Sequence, residues 1–377
     1  MKGKQGMVCM GLLLVLSSCH TGKQITASGL QRKDFQTEVN GQHTDLFTLS
    51  NKQGMEVCIT NYGARVVSIL VPDRNGKRED VVCGFSTITE YMEQRQNFGS
   101  TVGRYIGRIL NARFTLDGVE YKLVPNNGKS GHISHGGNPG FADRMWKVEQ
   151  ADTHRVRLSY LSPDGENGFP GNLKVTLVYS LGEDDNALDL TYEATTDAPT
   201  VLNLSHHSFF NISGNFTKSV EDQQLWVDAD RFTPYDDKKC VTGEYLPVAG
   251  TPLDFRMPHT IGECIDADHP QLKVVNGYDH TWELNTKGDD TRPAAWVYDP
   301  ASGRKMEIFT TEPGMQIYTG NGLKGKMTGK GGIAYPFRSA VCFETMHFQD
   351  SPNQPGFPST VLRPGEVFRS HTVYKFE

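Results

Sequence analysis

The sequence predicts an all-β protein, a large antiparallel β-sandwich, and three observations support this fold class. Apolar residues recur at every second position in many short segments, which is typical of strands buried on one face. The 377 residues include 39 glycines and 19 prolines, enough to separate many strands by turns. The chain has no long amphipathic helix, so an α/β layout is disfavoured.

The clearest element is a hairpin near the middle of the chain. Apolar and polar residues alternate over 173–181 and again over 188–194, and the polar residues 182–186 form the connecting loop. Similar patterns predict strands over further segments, which are 57–70, 114–123 with a turn at Asp117-Gly118, 155–161, 200–211 and 306–311.

Composition and charge indicate a single globular domain over residues 35–377. Hydrophobic residues make up 37% and charged residues 22%, as in ordinary soluble domains. This length is within reach of one large all-β domain. The net charge of -6 and the lack of a basic stripe argue against a nucleic-acid partner. We expect a monomer that binds a small molecule.

The amino terminus is similar to an export signal. Lys2 and Lys4 precede an apolar run over 8–16, which is too short to span a bilayer and suits a signal peptide. The run ends in Leu-Ser-Ser-Cys, which resembles the bacterial lipobox, so we expect residues 1–19 to be a lipoprotein signal with Cys19 lipidated. An ordinary secretory signal with an incidental cysteine is the alternative.

Residues 20–34 are polar and without periodicity, and we expect them to tether the domain to the membrane through the Cys19 lipid. The protein would then be exported and held on the periplasmic side of a bacterial membrane. No aspartate follows Cys19, which favours the outer membrane. The lipid is the membrane contact that we expect.

The remaining cysteines indicate neither a metal cluster nor a particular disulfide. Five are left besides Cys9 and Cys19, and no Cys-x-x-Cys spacing occurs. We therefore expect no metal ligands at the site. Asp228 and Asp230, or carboxylates in a cleft, could bind calcium weakly.

The segment 203–211 concentrates polar groups within an aromatic strand. It contains two histidines, two amides and two hydroxyls, and such groups cost free energy when buried unless each has a partner. This density indicates a site. Successive side chains of a strand point to opposite faces, so His206 and His207 cannot serve the same site.

Two carboxylates stand out by their sequence context. Asp254 follows Thr-Pro-Leu, and Glu344 lies in an otherwise apolar strand. Burial raises the pKa of a carboxyl group toward neutrality, which suits a general base, and a histidine suits a general acid. Glu344 with His207 or His206 could thus move two protons at once. A buried ion pair of Glu344 with Arg338 is the alternative.

Two glycine-flanked segments carry further polar candidates. One places Arg104 and Arg108 four residues apart, and the other places His132 and His135 beside glycines. Neither segment is diagnostic alone, because a structural ion pair explains an arginine and solvation explains a loop histidine. The second is not a phosphate loop, since the sequence predicts no helix after it.

Nine sequence segments occur in the order of a known family. They are 98–109, 135–137, 162–171, 203–211, 251–255, 277–280, 312–321, 343–345 and 353–355. Together they resemble the aldose 1-epimerases, or galactose mutarotases, from about residue 40 to the end of the chain. The resemblance implies a galactose mutarotase-like supersandwich with an open cleft that interconverts the α and β anomers of a free aldohexose.

The resemblance also implies roles for single residues. Glu344 would be the base that takes the proton of the anomeric hydroxyl, and His207 would be the acid that protonates the ring oxygen. Such ring opening and reclosure requires no nucleophile and no redox cofactor. The residues carried over as substrate-binding are Arg108, His135, Ser208, Phe209, Asp254 and Gln316.

The chain departs from the family pattern around the expected pocket. Gly107 precedes Arg108 where the family usually has Asn-Arg, so one amide contact to the sugar is missing. His206 stands where asparagine is common, Phe209 stands where tyrosine is common, and Met346 follows Thr345, where glutamine is frequent at the previous position or nearby. These changes put the sugar preference in doubt more than the chemistry.

Three other functions remain open from the sequence. A glycosidase would use two carboxylates, for which Asp254 and Glu344 are candidates, but the histidine then has no obvious task. An enzyme for hexose 6-phosphates would need an extra basic group to bind phosphate. A noncatalytic surface module would bind sugar without accelerating anomer exchange.

Overall fold

Three antiparallel sheets dominate the computed structural model, which describes residues 24–377 and confirms the all-β prediction. They contain nine, six and four strands, and we call them the large sheet, the cleft sheet and the N-terminal sheet. The middle of the large sheet contains the predicted hairpin, in which Tyr179 lies opposite Leu190. Its apolar positions are buried in alternation, so this prediction is confirmed.

The strands of each sheet are given in spatial order. Those of the large sheet are Lys147–Ala151, Arg155–Ser162, Leu173–Leu181, Ala187–Thr196, Phe368–Phe376, Lys305–Thr310, Ala295–Tyr298, Gln224–Val227 and His259–Thr260. Those of the cleft sheet are Phe209–Phe210, Val341–Met346, Gly314–Tyr318, Asp279–Glu283, Arg231–Thr233 and Leu246–Pro247. Those of the N-terminal sheet are Leu46–Ser50, Glu56–Thr60, Arg65–Pro72 and Arg78–Asp80.

Short strand pairs and short helices complete the described part of the chain. The pairs are Glu38–Val39 with Gln42–His43, Ser100–Val102 with Ser205–His207, Arg108–Ile109 with Ile133–Ser134, Arg113–Leu116 with Val119–Lys122, and Thr200–Val201 with Val361–Leu362. The α-helices are Ile88–Gln94 and Pro270–Val275, and the 3-10 helices are Arg32–Phe35, Leu110–Ala112, Gly128–Ser130, Phe141–Asp143, Glu166–Gly168, Lys330–Gly332 and Ser351–Asn353. Over residues 24–377, no helix has the length and apolar character to cross a bilayer.

One hydrophobic core joins the three sheets. Val175 of the large sheet, Ile317 of the cleft sheet and Val66 of the N-terminal sheet belong to the same buried cluster. A second buried cluster includes Phe98 and Phe209 and lies beside the cleft sheet. Because protein cores are packed as densely as organic crystals, the side chains on the cleft sheet stand on a rigid support.

Two strand predictions need correction. The predicted strand over 57–70 is wrong, because the chain turns between Glu56–Thr60 and Arg65–Pro72. Gly63 has a φ of +70° in this turn, and a β-carbon there would lie 2.3 Å from the carbonyl oxygen of Ala142, so glycine is required. Similarly, the strand expected over 200–211 divides into short strands that pair with three different partners.

Residues 24–34 differ from the expected free tether. Thr26 and Leu30 are buried, and the backbone N–H of Ala27 donates to Oε1 of Glu56 at 2.6 Å. The first turn of the domain therefore begins within the segment predicted as a linker. The predicted signal peptide and Cys19 lie outside the described residues.

Candidate active site

A cleft of about 240 Å³ opens on the cleft sheet. Its lining contains two histidines, two carboxylates, an arginine and four carboxamides within one concavity, and such convergent polar groups mark a binding site. The lining residues are Gln96, Asn97, Gly107, Arg108, Ser134, His135, His207, Phe209, Asp279, Gln316, Tyr318, Glu344, Met346 and Gln349.

A larger surface depression of about 680 Å³ lies beside the N-terminal segment. Its most buried charges, Arg32 and Asp45, already satisfy each other, since Arg32 Nε donates to Asp45 Oδ1 at 2.8 Å. Size alone therefore does not identify the site. The smaller cleft has the chemical groups for catalysis.

His207 is positioned by the strand Ser205–His207, in which it lies opposite Ser100. Its ring stacks on Phe209 with centroids 5.1 Å apart and meets the edge of His135 at 5.4 Å. Its Nε2 lies 3.4 Å from Oε1 of Glu344, and both side chains are about 95% buried. Burial, followed by the neighbouring His135, holds the pKa of His207 well below its usual value.

His206 lies on the opposite face, as strand alternation predicts. Its Nε2 is 2.6 Å from Oγ of Ser208, and its ring packs near Tyr179 and Tyr374. Burial lowers the pKa of His206 to about 3, so this ring is neutral at physiological pH. Ser208 thus faces away from the cleft with His206, and its predicted position in the sugar site is wrong.

Glu344 is positioned by the strand Val341–Met346, where it lies opposite Gln316. Burial raises the pKa of Glu344 well above its usual value; Asp279 adds to the rise and Arg108 opposes it. The alternative ion pair with Arg338 is wrong, because that guanidinium binds Glu221 and Asp266 at 2.7 Å each.

Asp279, which the residue-by-residue prediction missed, is the second carboxylate of the cleft. It begins the strand Asp279–Glu283 opposite Tyr318, and Nε2 of Gln316 donates to its Oδ1 at 2.6 Å. Burial raises its pKa. The available signal was the segment 277–280, which contains Asp279 and is one of the nine segments that resemble the family.

Asp254, predicted to bind the substrate, does not line the cleft. Its carboxylate accepts two hydrogen bonds from Arg256, at 2.9 and 2.8 Å, and this partner lowers its pKa. The neighbouring Leu253 carbonyl accepts a hydrogen bond from Nε1 of Trp282 at 3.1 Å. Asp254 therefore belongs to a surface turn, and the proposed glycosidase pair with Glu344 is not assembled.

Arg108 and His135 enter the cleft from two short paired strands. Arg108 lies opposite Ser134, and His135 follows with a φ of 51°. Nη1 of Arg108 donates to the carbonyl oxygen of Lys239 at 3.3 Å. Burial and the charge of Arg108 lower the pKa of His135 to about 4, so His135 is a neutral hydrogen-bonding group at pH 7.

Arg104 and His132, the two other candidates from the glycine-flanked segments, form contacts within the structure and outside the cleft. The guanidinium of Arg104 is buried and donates to the Pro170 carbonyl at 2.7 Å and to Ser162 Oγ at 2.6 Å. Nδ1 of His132 accepts the backbone N–H of Asn111 at 2.9 Å. Neither lines the cleft.

Comparisons with known proteins agree with this geometry. The aldose 1-epimerase family profile matches residues 45–375. The chain belongs to the aldose 1-epimerase family. It is 39% identical to galactose mutarotase of Sus scrofa over 330 residues, 88% of this chain and 93% of the relative. It is 36% identical to aldose 1-epimerase of Escherichia coli K12 over 339 residues, 89% and 96% of the two chains.

Solved structures agree as well. The crystal structure of a GalM/aldose epimerase homologue from C. elegans superimposes with a TM-score of 0.81 at 31% identity, over 89% of this chain and 99% of that one. Galactose 1-epimerase from Lactobacillus acidophilus NCFM has a TM-score of 0.78 at 28% identity, over 90% and 96%. The fold is galactose mutarotase-like. The chain is an isomerase with aldose 1-epimerase activity, EC 5.1.3.3, and its substrate is an aldose sugar.

Possible metal ligands within this aldose 1-epimerase lie at two places. Ligand atoms of His207, Cys342 and Glu344 lie within 4.8 Å of one another. The acidic pair that we considered for calcium is already compensated, because Asp228 binds Arg292 at 2.8 Å and Asp230 binds Arg256 at 3.0 Å. Ion pairing of both carboxylates weakens the argument for calcium there.

Proposed function

We propose that the chain interconverts the anomers of free aldohexoses such as glucose and galactose, with Glu344 as the base and His207 as the acid. The observation that carries this proposal is the contact of 3.4 Å between Glu344 Oε1 and His207 Nε2 in the cleft. At this distance, one group can take a proton from the anomeric hydroxyl of a sugar while the other gives a proton to its ring oxygen, because these two oxygens are bonded to the same carbon.

The reaction conserves protons and electrons. Glu344 takes the proton of the anomeric hydroxyl while His207 gives a proton to the ring oxygen, and the bond between the anomeric carbon and the ring oxygen breaks. Rotation of the resulting aldehyde presents its other face, and reclosure returns both protons. No oxidant or reductant takes part, so we propose that catalysis requires no cofactor.

The burial of the pair favours this exchange. In water a histidine holds its proton about 2 pKa units more tightly than a glutamate, which costs about 3 kcal/mol for moving a proton from histidine to glutamate. Burial raises the pKa of Glu344 and lowers that of His207. Both shifts make the transfer of a proton from His207 to Glu344, through the sugar, more favourable than it is in water.

The rest of the cleft suits a neutral polyol. Arg108 is the one lysine or arginine among the residues that line the cleft. The negative charge of Asp279 interacts with the guanidinium of Arg108. A hexose phosphate would bring about two negative charges beside Asp279 and Glu344. We propose that Arg108, His135, Asp279 and Gln316 bind hydroxyls of an unphosphorylated sugar, and that Phe209 packs against it.

Polarimetry tests the proposed substrate class. Freshly dissolved α-glucose or α-galactose should reach its equilibrium rotation faster with the protein than in buffer, whereas glucose 6-phosphate should show little acceleration. A panel with xylose and arabinose would rank the sugars. Rates equal to buffer for every hexose would contradict the proposal, as would stronger acceleration of the phosphate ester.

We further propose export with lipidation at Cys19, which rests on the signal-like sequence alone. The described part of the domain begins at Gln24, five residues after Cys19. An extended chain of that length would place Gln24 at most about 18 Å from the lipidated residue. Labelling with a radioactive fatty acid should mark the protein and should fail with Cys19→Ala. Equal labelling of both would contradict lipidation at this cysteine.

We propose a monomer without a required calcium ion. The charge compensation of Asp228 and Asp230 by arginines supports the second statement. Light scattering should give the mass of one chain, and a calcium chelator should leave mutarotation unchanged. A dimer mass or loss of activity with the chelator would overturn the respective statement.

A further inference from the structure

Gln349 and Gly107 share one region of the cleft wall. Gly107 has a φ of +73°, and a β-carbon on it would lie 2.5 Å from Cγ and 3.0 Å from Cδ of Gln349. Real β-carbons do not approach other atoms so closely. The side chain of Gln349 therefore lies across residue 107, and it can do so because that residue is glycine.

Hydrogen bonds determine which way the amide of Gln349 points. The Gln316 amide is oriented first, since its Nε2 donates to Asp279 Oδ1 at 2.6 Å and its Oε1 accepts from Thr281 Oγ1 at 2.5 Å. Gln349 then presents Nε2 to that Oε1 at 3.3 Å and to the Tyr235 hydroxyl at 2.7 Å. A flipped amide would place two carbonyl oxygens against each other.

This orientation leaves an acceptor in the cleft. Both hydrogens on Nε2 of Gln349 are used, and no donor within residues 24–377 forms a hydrogen bond to its Oε1. The residue is 96% buried and lines the cleft. Because Gln349 lines the cleft and its Oε1 has no donor among the described residues, this oxygen is available to a ligand that donates a hydrogen bond.

We propose that Gln349 is a substrate-binding residue of this chain, whose Oε1 accepts a hydrogen bond from one hydroxyl of the bound aldose, and that Gly107 provides the space for it. This inference rests on the proposed function of the same cleft. A site built to hydrogen-bond a hydroxyl discriminates against a sugar that lacks it. Gln349 therefore contributes to the choice among aldoses.

The first test removes the acceptor at nearly constant side-chain length. Gln349→Met should lower kcat/KM about 10- to 100-fold, mainly through KM, because the lost hydrogen bond is made to the bound sugar. The matched control is Gln150→Met on an exposed strand, which should leave both constants unchanged. Equal KM values for the wild type and Gln349→Met would overturn the proposal.

A series of monodeoxy glucoses separates direct binding from positioning. If Oε1 accepts a particular hydroxyl, the difference between wild type and Gln349→Met should disappear for the one deoxy sugar that lacks that hydroxyl and persist for the others. A uniform loss across the whole series would mean that Gln349 only holds Gln316 and Tyr235, and would overturn the proposal.

The role of Gly107 is tested by a double substitution. Asparagine tolerates positive φ, so Gly107→Asn should act mainly through its contact with Gln349 and raise KM several-fold. In the Gln349→Ala background the same change should cost little, because the space is then free. Additive effects of the two substitutions would contradict a shared space.

A failure of the proposal about Gln349 can be distinguished from a failure of the proposed function. If the wild type failed to accelerate mutarotation, the proposed function would fail, while calorimetric titration with glucose would still compare sugar binding by wild type and Gln349→Met. Weaker binding by the variant would support the inference about Gln349, and equal binding would overturn it.

Discussion

Two histidine–glutamate pairs in this protein have the same chemical groups and different surroundings. In the cleft, His207 Nε2 and Glu344 Oε1 are 3.4 Å apart. Away from it, Nδ1 of His347 and Oε2 of Glu312 are 2.7 Å apart, within a direct hydrogen bond. The second pair forms its own hydrogen bond, whereas both members of the first pair line the cleft and can reach a substrate there.

The backbone explains why the second pair is closed. Asn203 accepts the backbone N–H of His347 at 3.0 Å and donates to its carbonyl oxygen at 3.0 Å, which holds His347 in place. Glu312 is buried and does not line the cleft. Residue types alone therefore do not make an acid–base site. Both members of the pair must also face a cleft that the sugar can enter.

The largest difference in kcat should appear between the variants of the two glutamates. Glu344→Gln should lower kcat for mutarotation by at least about 10²- to 10⁴-fold, because the amide cannot accept the proton of the anomeric hydroxyl. Glu312→Gln should keep kcat within a fewfold and lower stability by about 1–3 kcal/mol, since a buried hydrogen bond is weakened. Polarimetry and thermal unfolding measure the two effects.

Similar loss of kcat in both glutamate variants, with both proteins folded, would mean that the open and the closed pair do not differ in function. Circular dichroism spectra of the two variants provide the required control for folding.

Substitution of the histidines should also lower kcat more inside the cleft than outside it, with a smaller difference than for the glutamates. His207→Asn should lower kcat about 10²- to 10³-fold, because the proton for the ring oxygen is lost. His347→Asn and His206→Asn should each retain most of kcat, since neither ring lines the cleft. Initial rates with α-glucose measure this. A larger loss with His206→Asn than with His207→Asn would show that the wrong histidine was assigned.

A moderate effect should separate the two aspartates. Asp279→Asn should raise KM about tenfold or more, because its carboxylate lies in the cleft and orients Gln316. Asp254→Asn changes a carboxylate that binds Arg256 outside the cleft, so KM should change less than about twofold. Saturation kinetics measure both values, and a large KM effect at Asp254 alone would contradict the observed site.

The smallest and most specific effect concerns the pKa of Glu344. Asp279 raises this pKa and Arg108 lowers it. Asp279→Asn should therefore shift the Glu344 titration to lower pH, and Arg108→Gln should shift it to higher pH. The infrared band of the protonated carboxyl group, assigned by its loss in Glu344→Gln, measures both. Shifts in the same direction would refute this electrostatic picture.

Local patterns in the sequence predicted a large part of the fold. The hairpin over 173–181 and 188–194 forms as expected, because alternation with one buried face specifies both strand and register. The pattern over 57–70 misled, since apolar residues on both sides of the Gly63 turn read as one continuous strand. Asn61 and Gly63 were the turn signals available within this apolar pattern.

The candidate site was predicted less evenly. Strand alternation correctly separated His206 from His207, and the same alternation places Ser208 on the face of His206, away from the cleft. Asp254 and Asp279 both lie beside strands in family-like segments, and their local sequence does not say which one enters the cleft. Gln349 follows the end of a strand, where no periodic pattern indicates a direction.

The sequence by itself determined the all-β class, the opposite faces of the neighbouring histidines and the chemical types available for proton transfer, because these depend on local periodicity and side-chain chemistry. The tertiary structure decided which glutamate meets its histidine at 2.7 Å and which stays at 3.4 Å. It also placed Asp279 and Gln349 in the cleft. Such distances depend on the register and packing of strands far apart in the chain, which no local pattern encodes.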